Sequence, residues 1–152
     1  MQEIIDIYSK GEYPSNVLSN FYPRDFSFYG IKIGSAEGFL QSLKFKNPKK
    51  QVRICALGGK AAKKKGGRKF LWKITGNVYW NGHRIRRDGP VFFSLVYKFY
   101  VYMYLEDENF SKALKSTRGK KLVHSIGKHD KRKTILTEEE FIGILERIRD
   151  LL

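Results

Sequence analysis

The sequence predicts a single α+β domain over residues 1–152, mostly helical, with small antiparallel β-hairpins. A chain of 152 residues that is 41% hydrophobic can bury one core, and it has no repeat or linker-like segment. Turn residues at Gly30 and at Asn81-Gly82 separate short apolar runs, which is typical of hairpins. Helix start signals occur at Ser35, at Asn47-Pro48 and at Thr137, the last as a capping box.

The first part of the chain is expected to contain short strands and loops. Gln2–Tyr8 carries three isoleucines and predicts a strand, whereas Lys10–Asn20 is rich in turn residues and predicts a loop. The hairpin around Gly30 then leads into a helix over Ser35–Phe45, with Ser35 as its N-cap.

The remainder is expected to be mainly helical around one central helix. Val91–Glu106 is apolar on most sides and predicts that central helix. An extended segment is expected over Lys120–Ile126, and a second hairpin around Asn81-Gly82. Four further helices are predicted. One starts at Asn47-Pro48, one covers Lys60–Lys65 and ends at Gly66-Gly67, one covers Asn109–Ser116, and one starts at Thr137.

Charge and cysteine content restrict the possible functions. The formal charge of +15 attracts polyanions such as DNA, RNA, nucleotides or pyrophosphate. The single cysteine, Cys55, cannot form an internal disulfide and fits a cytoplasmic protein. The apolar run Val91–Leu105 is too short to span a bilayer, and there is no signal peptide, so no membrane association is expected. The three histidines are scattered, so neither a metal nor a cofactor is expected.

The predicted helix over Ser35–Phe45 places three polar residues in line. At about 100° per residue, Glu37, Gln41 and Lys44 lie along one stripe, while apolar residues lie on another face. Glu37 and Lys44 are roughly 10 Å apart along the axis, so a ligand rather than an ion pair would connect them. A solvent-exposed polar face is the commoner explanation of such a stripe.

Three further features have both a functional and a structural interpretation. The basic, glycine-rich segment Gly58–Gly67 lacks the P-loop spacing and suits either a phosphate-binding loop or a solvated charge run. Trp80, beside a hairpin turn, can stack on a base or pack against the hairpin. His124, on an extended segment, is a candidate site residue or a structural histidine.

The order of motifs resembles the NADAR family of YbiA-like proteins over roughly Tyr8–Asp130. The motifs are S-N-F-Y-P from Ser19, a glycine hairpin, S-x-E-x-x-x-Q-x-x-K-F from Ser35, A-K-x-x-G from Ala62, K-L-V, and a late aspartate. The resemblance implies an α+β fold and an N-glycosidase that cleaves a ribosyl C–N bond. It implies two substrate classes: phosphorylated riboflavin-pathway intermediates, and ADP-ribose attached to guanine in nucleic acid.

The resemblance also implies roles for individual residues. Catalytic roles are implied for Glu37, Lys44 and Asp130. Substrate-binding positions are expected at Ser19, Asn20, Phe21, Gln41, Lys63 and Gly66, and we add Trp80 and His124 as candidates beside the motifs.

The chain departs from the family pattern at three places. Gly38-Phe39 replaces a histidine–aromatic pair, His124 replaces a glutamate, and Lys131-Arg132 replaces a Trp-Gly pair. The hairpin within Tyr79–Asp88 resembles a feature of one branch of the family. These departures leave the substrate open more than the reaction class.

The implied reaction suits these residue types. Breaking a ribosyl C–N bond builds positive charge on the sugar and negative charge on the leaving base. Glu37 can stabilise the cation or activate water, and Asn20 and Gln41 can bind ribose hydroxyls. Lys44 can donate to the leaving nitrogen or to phosphate, or can attack an opened ribose aldehyde to form a Schiff base. The sequence does not decide between these roles.

Three functions therefore remain for the structure to address. The first is an N-glycosidase acting on an ADP-ribosyl or phosphoribosyl substrate. The second is a non-catalytic module that binds ADP-ribose or an ADP-ribosylated nucleic acid. The third is a basic protein that binds unmodified DNA or RNA through its charge.

Overall fold

A computed structural model describes residues 1–152 as eight helices and three pairs of short strands, which confirms the α+β class. The strands are β1 (Ile4–Asp6), β2 (Phe26–Phe28), β3 (Ile31–Ile33), β4 (Asn77–Trp80), β5 (His83–Arg86) and β6 (Lys121–Val123). The helices are α1 (Ser15–Leu18), α2 (Ala36–Ser42), α3 (Pro48–Cys55), α4 (Gly59–Gly67), α5 (Leu71–Thr75), α6 (Pro90–Glu106), α7 (Glu108–Lys115) and α8 (Glu138–Leu151).

Both predicted hairpins are present as antiparallel pairs, β2 with β3 and β4 with β5. Each turn has two residues with positive φ: 48° and 76° at Tyr29 and Gly30, and 50° and 81° at Asn81 and Gly82. This is the geometry of two-residue hairpin turns whose twist matches that of the strands.

The structure differs from the predictions in several elements. β1 pairs with β6 in parallel, with Ile4 opposite Lys121, so the third strand pair is not a hairpin.

The helices also differ from the predictions. The predicted loop before Asn20 contains the four-residue helix α1, and α5 was not predicted. The helix predicted to reach Phe45 ends at Ser42, because the N–H of Leu43 already bonds to the carbonyl of Leu40 in a tighter turn.

The caps predicted from the sequence are formed. The Ser35 hydroxyl accepts from the N–H of Gly38 at 2.9 Å, and the Asn47 side chain accepts from the N–H of Lys50 at 3.1 Å. Thr137 and Glu140 form the capping box of α8. The Glu140 carboxylate also binds Arg87 at 2.6 Å, which connects the end of β5 to the start of α8.

The central helix α6 organises the core, as predicted. Its buried side chains include Phe92, Val96, Phe99 and Tyr100. The Phe99 ring stacks on Phe39 of α2 with centroids 4.0 Å apart, so one face of α2 is fixed against the core. The opposite face of α2 is left to line the candidate site. None of the helices combines the length and the apolar character needed to cross a bilayer.

Candidate functional site

A cavity of about 450 Å³ lies where α2, α4, α5 and the segment between β6 and α8 meet. Its lining combines polar and charged side chains with several apolar ones. The polar and charged residues are Ser9, Ser19, Asn20, Glu37, Gln41, Lys44, Lys63, Lys73, His124, Lys128, Lys133 and Thr134. The apolar residues include Phe21, Leu40, Ile126, Ile135, Leu136 and Phe141.

Helix α2 brings its polar stripe into this cavity. The Ser35 cap fixes the first turn, and the N–H of Glu37 bonds to the carbonyl of Asn20 at 2.9 Å. Glu37 is 9% exposed and Gln41 is 6% exposed. The interpretation of the stripe as a solvent-exposed face is therefore wrong, because burial removes both side chains from bulk water.

Burial is the main influence on the Glu37 carboxyl. It raises the pKa of Glu37 above the ordinary value of 4.5, while the Gln41 amide and the ammonium groups of Lys63 and Lys44 oppose the rise. Glu37 is the one acidic side chain in the cavity lining. A buried carboxyl with a raised pKa in a cleft is typical of a functional site.

Asn20 is fixed from behind by the core. The hydroxyl of Tyr100, which is fully buried, donates to Oδ1 of Asn20 at 2.6 Å. Burial and the nearby Glu37 raise the pKa of Tyr100 well above its ordinary value, so the phenol remains a donor. The Asn20 amide nitrogen is then free to donate into the cavity.

Lys44 lies about two turns beyond Glu37, after α2 has ended. Its Nζ donates to the carbonyl of Gly66 at 3.3 Å and lies 5.4 Å from the centroid of the Trp72 ring. Burial lowers the pKa of Lys44 from 10.5 to about 8, and Lys73, among other lysines, adds to this effect while Glu37 opposes it. An amine with this pKa is partly neutral near physiological pH.

Gln41 carries an unpartnered acceptor. Its Oε1 is buried and has no hydrogen-bond partner, although Gln41 lines the cavity. Gly66 packs directly against this side chain, and a Cβ at position 66 would overlap it. Gly66 is therefore placed beneath Gln41 and Lys44 rather than in the lining itself. The unpartnered oxygen therefore faces α4 rather than the open cavity, and the Gln41 amide interacts with Glu37.

Five lysines line the cavity, against one carboxylate. Lys63, predicted from the sequence, lies with its Nζ 5.6 Å from the centroid of the Phe21 ring. Lys73, Lys128 and Lys133 were not predicted as site residues, because they lie on the unpredicted helix α5 and on an irregular segment without a motif. This excess of positive charge suits a ligand that carries phosphate.

Besides Gly66, two predicted site residues, Trp80 and Asp130, do not line the cavity. The Trp80 ring packs on Phe28 and Phe39, with centroids 5.7 and 5.4 Å away, which favours the packing role over stacking on a ligand. Asp130 binds Arg132 at 3.2 Å, which lowers the pKa of Asp130, and it lies in a separate shallow groove. A direct catalytic role for Asp130 has no support in this geometry.

The remaining predicted residues line the cavity. Ser19, Asn20 and Phe21 line the cavity together. His124 also lines it, with Nδ1 2.9 Å from the carbonyl of Ile7 and its ring edge-on to Phe141.

The departure from the family pattern at Gly38 has a packing reason, because a Cβ there would lie about 3 Å from the carbonyl oxygens at the end of α3. No group of three or more His, Cys, Asp or Glu residues converges anywhere as a metal site.

Comparison with solved structures identifies the fold class of this protein. The solved NMR structure of the E. coli protein YbiA matches with a TM-score of 0.67 and 19% identity, over 99% of this chain and 86% of that chain. The fold is therefore YbiA-like.

The family follows from the sequence comparisons. The family model of bacteriophage protein GP30.3 matches residues 12–150. An uncharacterized 17.1 kDa protein of Enterobacteria phage T4, from the Gp30-rIII intergenic region, is 38% identical over 149 residues, or 97% of this chain and 98% of that protein. The chain belongs to the family of bacteriophage protein GP30.3, a NADAR-type family, which confirms the resemblance noted in the sequence.

Proposed function

We propose that this protein is an N-glycosidase that hydrolyses the ribosyl C–N bond of an ADP-ribosyl or phosphoribosyl substrate. The candidate substrates are ADP-ribosylated guanine in nucleic acid and an intermediate of riboflavin biosynthesis. The observation that carries the proposal is the single buried carboxyl of Glu37 in a cavity lined by five lysines. Such a cavity attracts phosphates and directs one carboxylate at a sugar that becomes positively charged.

The reaction replaces the C–N bond of the ribose with a C–O bond from water. Glu37 stabilises the sugar cation or accepts a proton from the attacking water, and the leaving base takes up a proton. Asn20 binds a ribose hydroxyl through its free amide donor, and Gln41 contacts the ribose beside Glu37 on the cavity wall. Lys63, Lys73, Lys128 and Lys133 bind the phosphates.

Lys44 has two possible roles at its lowered pKa of about 8. As an ammonium it donates a proton to the leaving nitrogen or to a phosphate oxygen. As a neutral amine it attacks C1 of the ribose: the C–N bond breaks, the base leaves with a proton, and the ribose ring opens to a Schiff base on Lys44. Water then hydrolyses the Schiff base, which releases the ribose aldehyde and restores the amine. Both forms are populated near neutral pH. The buried thiol of Cys55 and the nucleotide substrates suit a cytoplasmic location.

The test is base release by the purified protein. It would be incubated with NAD⁺, ADP-ribose, an ADP-ribosylated guanine oligonucleotide and a phosphoribosylamino-pyrimidine, and the products followed by mass spectrometry. We expect one of the last two substrates to release its base with the ribose–phosphate part intact. If neither is cleaved under any condition that preserves the fold, the glycosidase proposal is wrong.

A second candidate is a module that binds ADP-ribose without cleaving it. The observation that favours it is that Asp130, the other acid expected at the site, lies outside the cavity. This candidate predicts tight binding of ADP-ribose in the same incubation with no release of base from any of the four compounds.

A further inference from the structure

Asp130 lies outside the cavity, yet it organises a turn that reaches the cavity. The Asp130 carboxylate accepts a hydrogen bond from the N–H of Arg132 at 2.8 Å. The carbonyl of Asp130 accepts from the N–H groups of Lys133 at 2.9 Å and of Thr134 at 3.2 Å. We call residues 130–134 the aspartate turn. Three of its backbone N–H groups therefore depend on one residue.

The aspartate turn contributes to two different surfaces. Asp130 lies in the shallow groove, together with Thr137 and Glu139. Lys133 and Thr134 line the cavity instead. Because Asp130 is absent from the cavity wall, its structural link to the cavity runs through the backbone that carries Lys133 and Thr134.

Asp130 is also the main polar anchor of this backbone. The segment is fixed before the aspartate turn, where the N–H of Glu138 donates to the carbonyl of Lys128 at 2.9 Å. It is fixed after the turn by Ile135, which is buried in the core. Between these points, every hydrogen bond donated by a backbone N–H of residues 129–134 goes to Asp130. Without Asp130, the exposed backbone at Lys133 would lose its partner within the protein.

The Asp130 carboxylate stays ionised in this arrangement. The hydrogen bonds from Arg132, whose guanidinium lies 3.2 Å away, lower the pKa of Asp130 below its ordinary value of 3.8. Arg132 belongs to the Lys131-Arg132 pair that departs from the family pattern, so this chain supplies a local partner for its late aspartate. A carboxylate that remains charged near neutral pH is suited to accepting hydrogen bonds rather than to transferring protons.

We infer that Asp130 is a positioning residue that holds Lys133 at the cavity, where the lysine binds a phosphate of the substrate. The inference deepens the proposed function and rests on it for the phosphate-bearing ligand. The ammonium group of Lys133 attracts the phosphate, and the aspartate turn restricts where that ammonium group can lie. Such preorganisation raises affinity, because less conformational freedom is lost when the ligand binds.

The experiment is calorimetric titration of the protein with inorganic pyrophosphate, comparing Asp130→Ala with Asp130→Asn. Both substitutions remove the same negative charge, which by Coulomb attraction alone would strengthen binding of an anion. Only Asp130→Asn keeps a side-chain oxygen that can accept from the N–H of Arg132. We expect Asp130→Ala to weaken binding about threefold to tenfold, as the loss of one hydrogen bond does. Asp130→Asn should bind at least as tightly as wild type.

A double-mutant cycle shows whether Asp130 acts through Lys133. In a Lys133→Ala background, Asp130→Ala should cause no further loss, because the lysine that it positions is gone. In a Lys128→Ala background the full loss should persist, since Lys128 is held separately by the N–H of Glu138. With a substrate that the wild-type protein cleaves, Asp130→Ala should raise KM and leave kcat unchanged.

Four outcomes would overturn the inference. These are absence of pyrophosphate binding by wild type, unweakened binding by Asp130→Ala, equal losses in Asp130→Ala and Asp130→Asn, and a full loss that persists in the Lys133→Ala background. The proposed function is tested separately, because pyrophosphate binding requires no turnover. Predicted binding changes without base release from any substrate would contradict only the proposed function. Base release by wild type with an unchanged KM in Asp130→Ala would contradict only the inference.

Discussion

At the scale of single residues, Glu37 and Lys44 are held where burial opposes their charges. The pKa of Glu37 is raised and that of Lys44 is lowered, and burial is the largest cause of both shifts. Neither side chain forms the ion pair that would offset this cost, since Lys44 bonds to the carbonyl of Gly66 instead. Groups kept in such surroundings are typical of a site whose ligand supplies the missing interactions.

The first prediction concerns Lys44→Met. Between pH 8 and pH 10.5 the unfolded chain holds a proton on Lys44 that the folded protein has lost, so the free energy of unfolding rises with pH in this window. Replacing Lys44 with Met removes this rise. At pH 7 the variant should be more stable than wild type by about 1 to 2 kcal/mol, allowing for solvent screening of a partly exposed group.

Urea denaturation at pH 7 and at pH 9.5 measures this difference, and the same variant should not release base. The control is Lys32→Met, which replaces an exposed lysine on β3 and should change the free energy of unfolding little at either pH. A Lys44→Met protein that is less stable than wild type at pH 7 would show that Lys44 supports the fold.

At the scale of elements, local signals explain what the sequence could predict. The two hairpin turns, the caps at Ser35 and Asn47 and the capping box at Thr137 are set by neighbours within a few residues. The stripe of Glu37 and Gln41 follows from helical periodicity, but its burial depends on elements far away in the sequence.

Other elements depend on contacts between residues far apart in the chain, so no local sequence pattern predicts them. The pairing of β1 with β6 joins residues more than a hundred positions apart. α5 is one short turn in which most side chains are exposed, so no amphipathic period identifies it. Lys128 and Lys133 reach the cavity from irregular backbone, and an isolated lysine in such a segment is indistinguishable from surface charge.

The second prediction concerns the contact between α4 and α2. A Cβ at Gly66 would overlap the Gln41 side chain, so Gly66→Ala must displace Gln41 from its position in the cavity. We expect a loss of about 1 to 3 kcal/mol in the free energy of unfolding, as overpacking usually causes, and weaker ligand binding. Gly67→Ala is the matched control, because a Cβ there meets nothing within 4 Å. Equal stability of both variants in thermal denaturation would contradict this account of Gly66.

At the scale of the whole molecule, the distribution of charge and the fold have separate roles. The YbiA-like fold brings α2, α4 and the segment after β6 to one cavity, and the excess of lysine in and around that cavity sets the kind of ligand. The family and the fold were predictable from the order of motifs, because a set of short motifs in fixed order is more specific than any one of them. The substrate was not, since three of the four lysines proposed to bind its phosphates, Lys73, Lys128 and Lys133, lie outside those motifs.

The central claim is that Glu37 acts on the ribosyl C–N bond of a ligand bound in the cavity. The most direct measurement is single-turnover base release by Glu37→Gln, with ligand affinity measured in parallel by calorimetry. Glu139→Gln, at an exposed glutamate on α8, is the control for the substitution itself. We predict that Glu37→Gln binds the ligand about as well as wild type but releases no base, while Glu139→Gln behaves as wild type. Base release by Glu37→Gln at the wild-type rate would contradict the account.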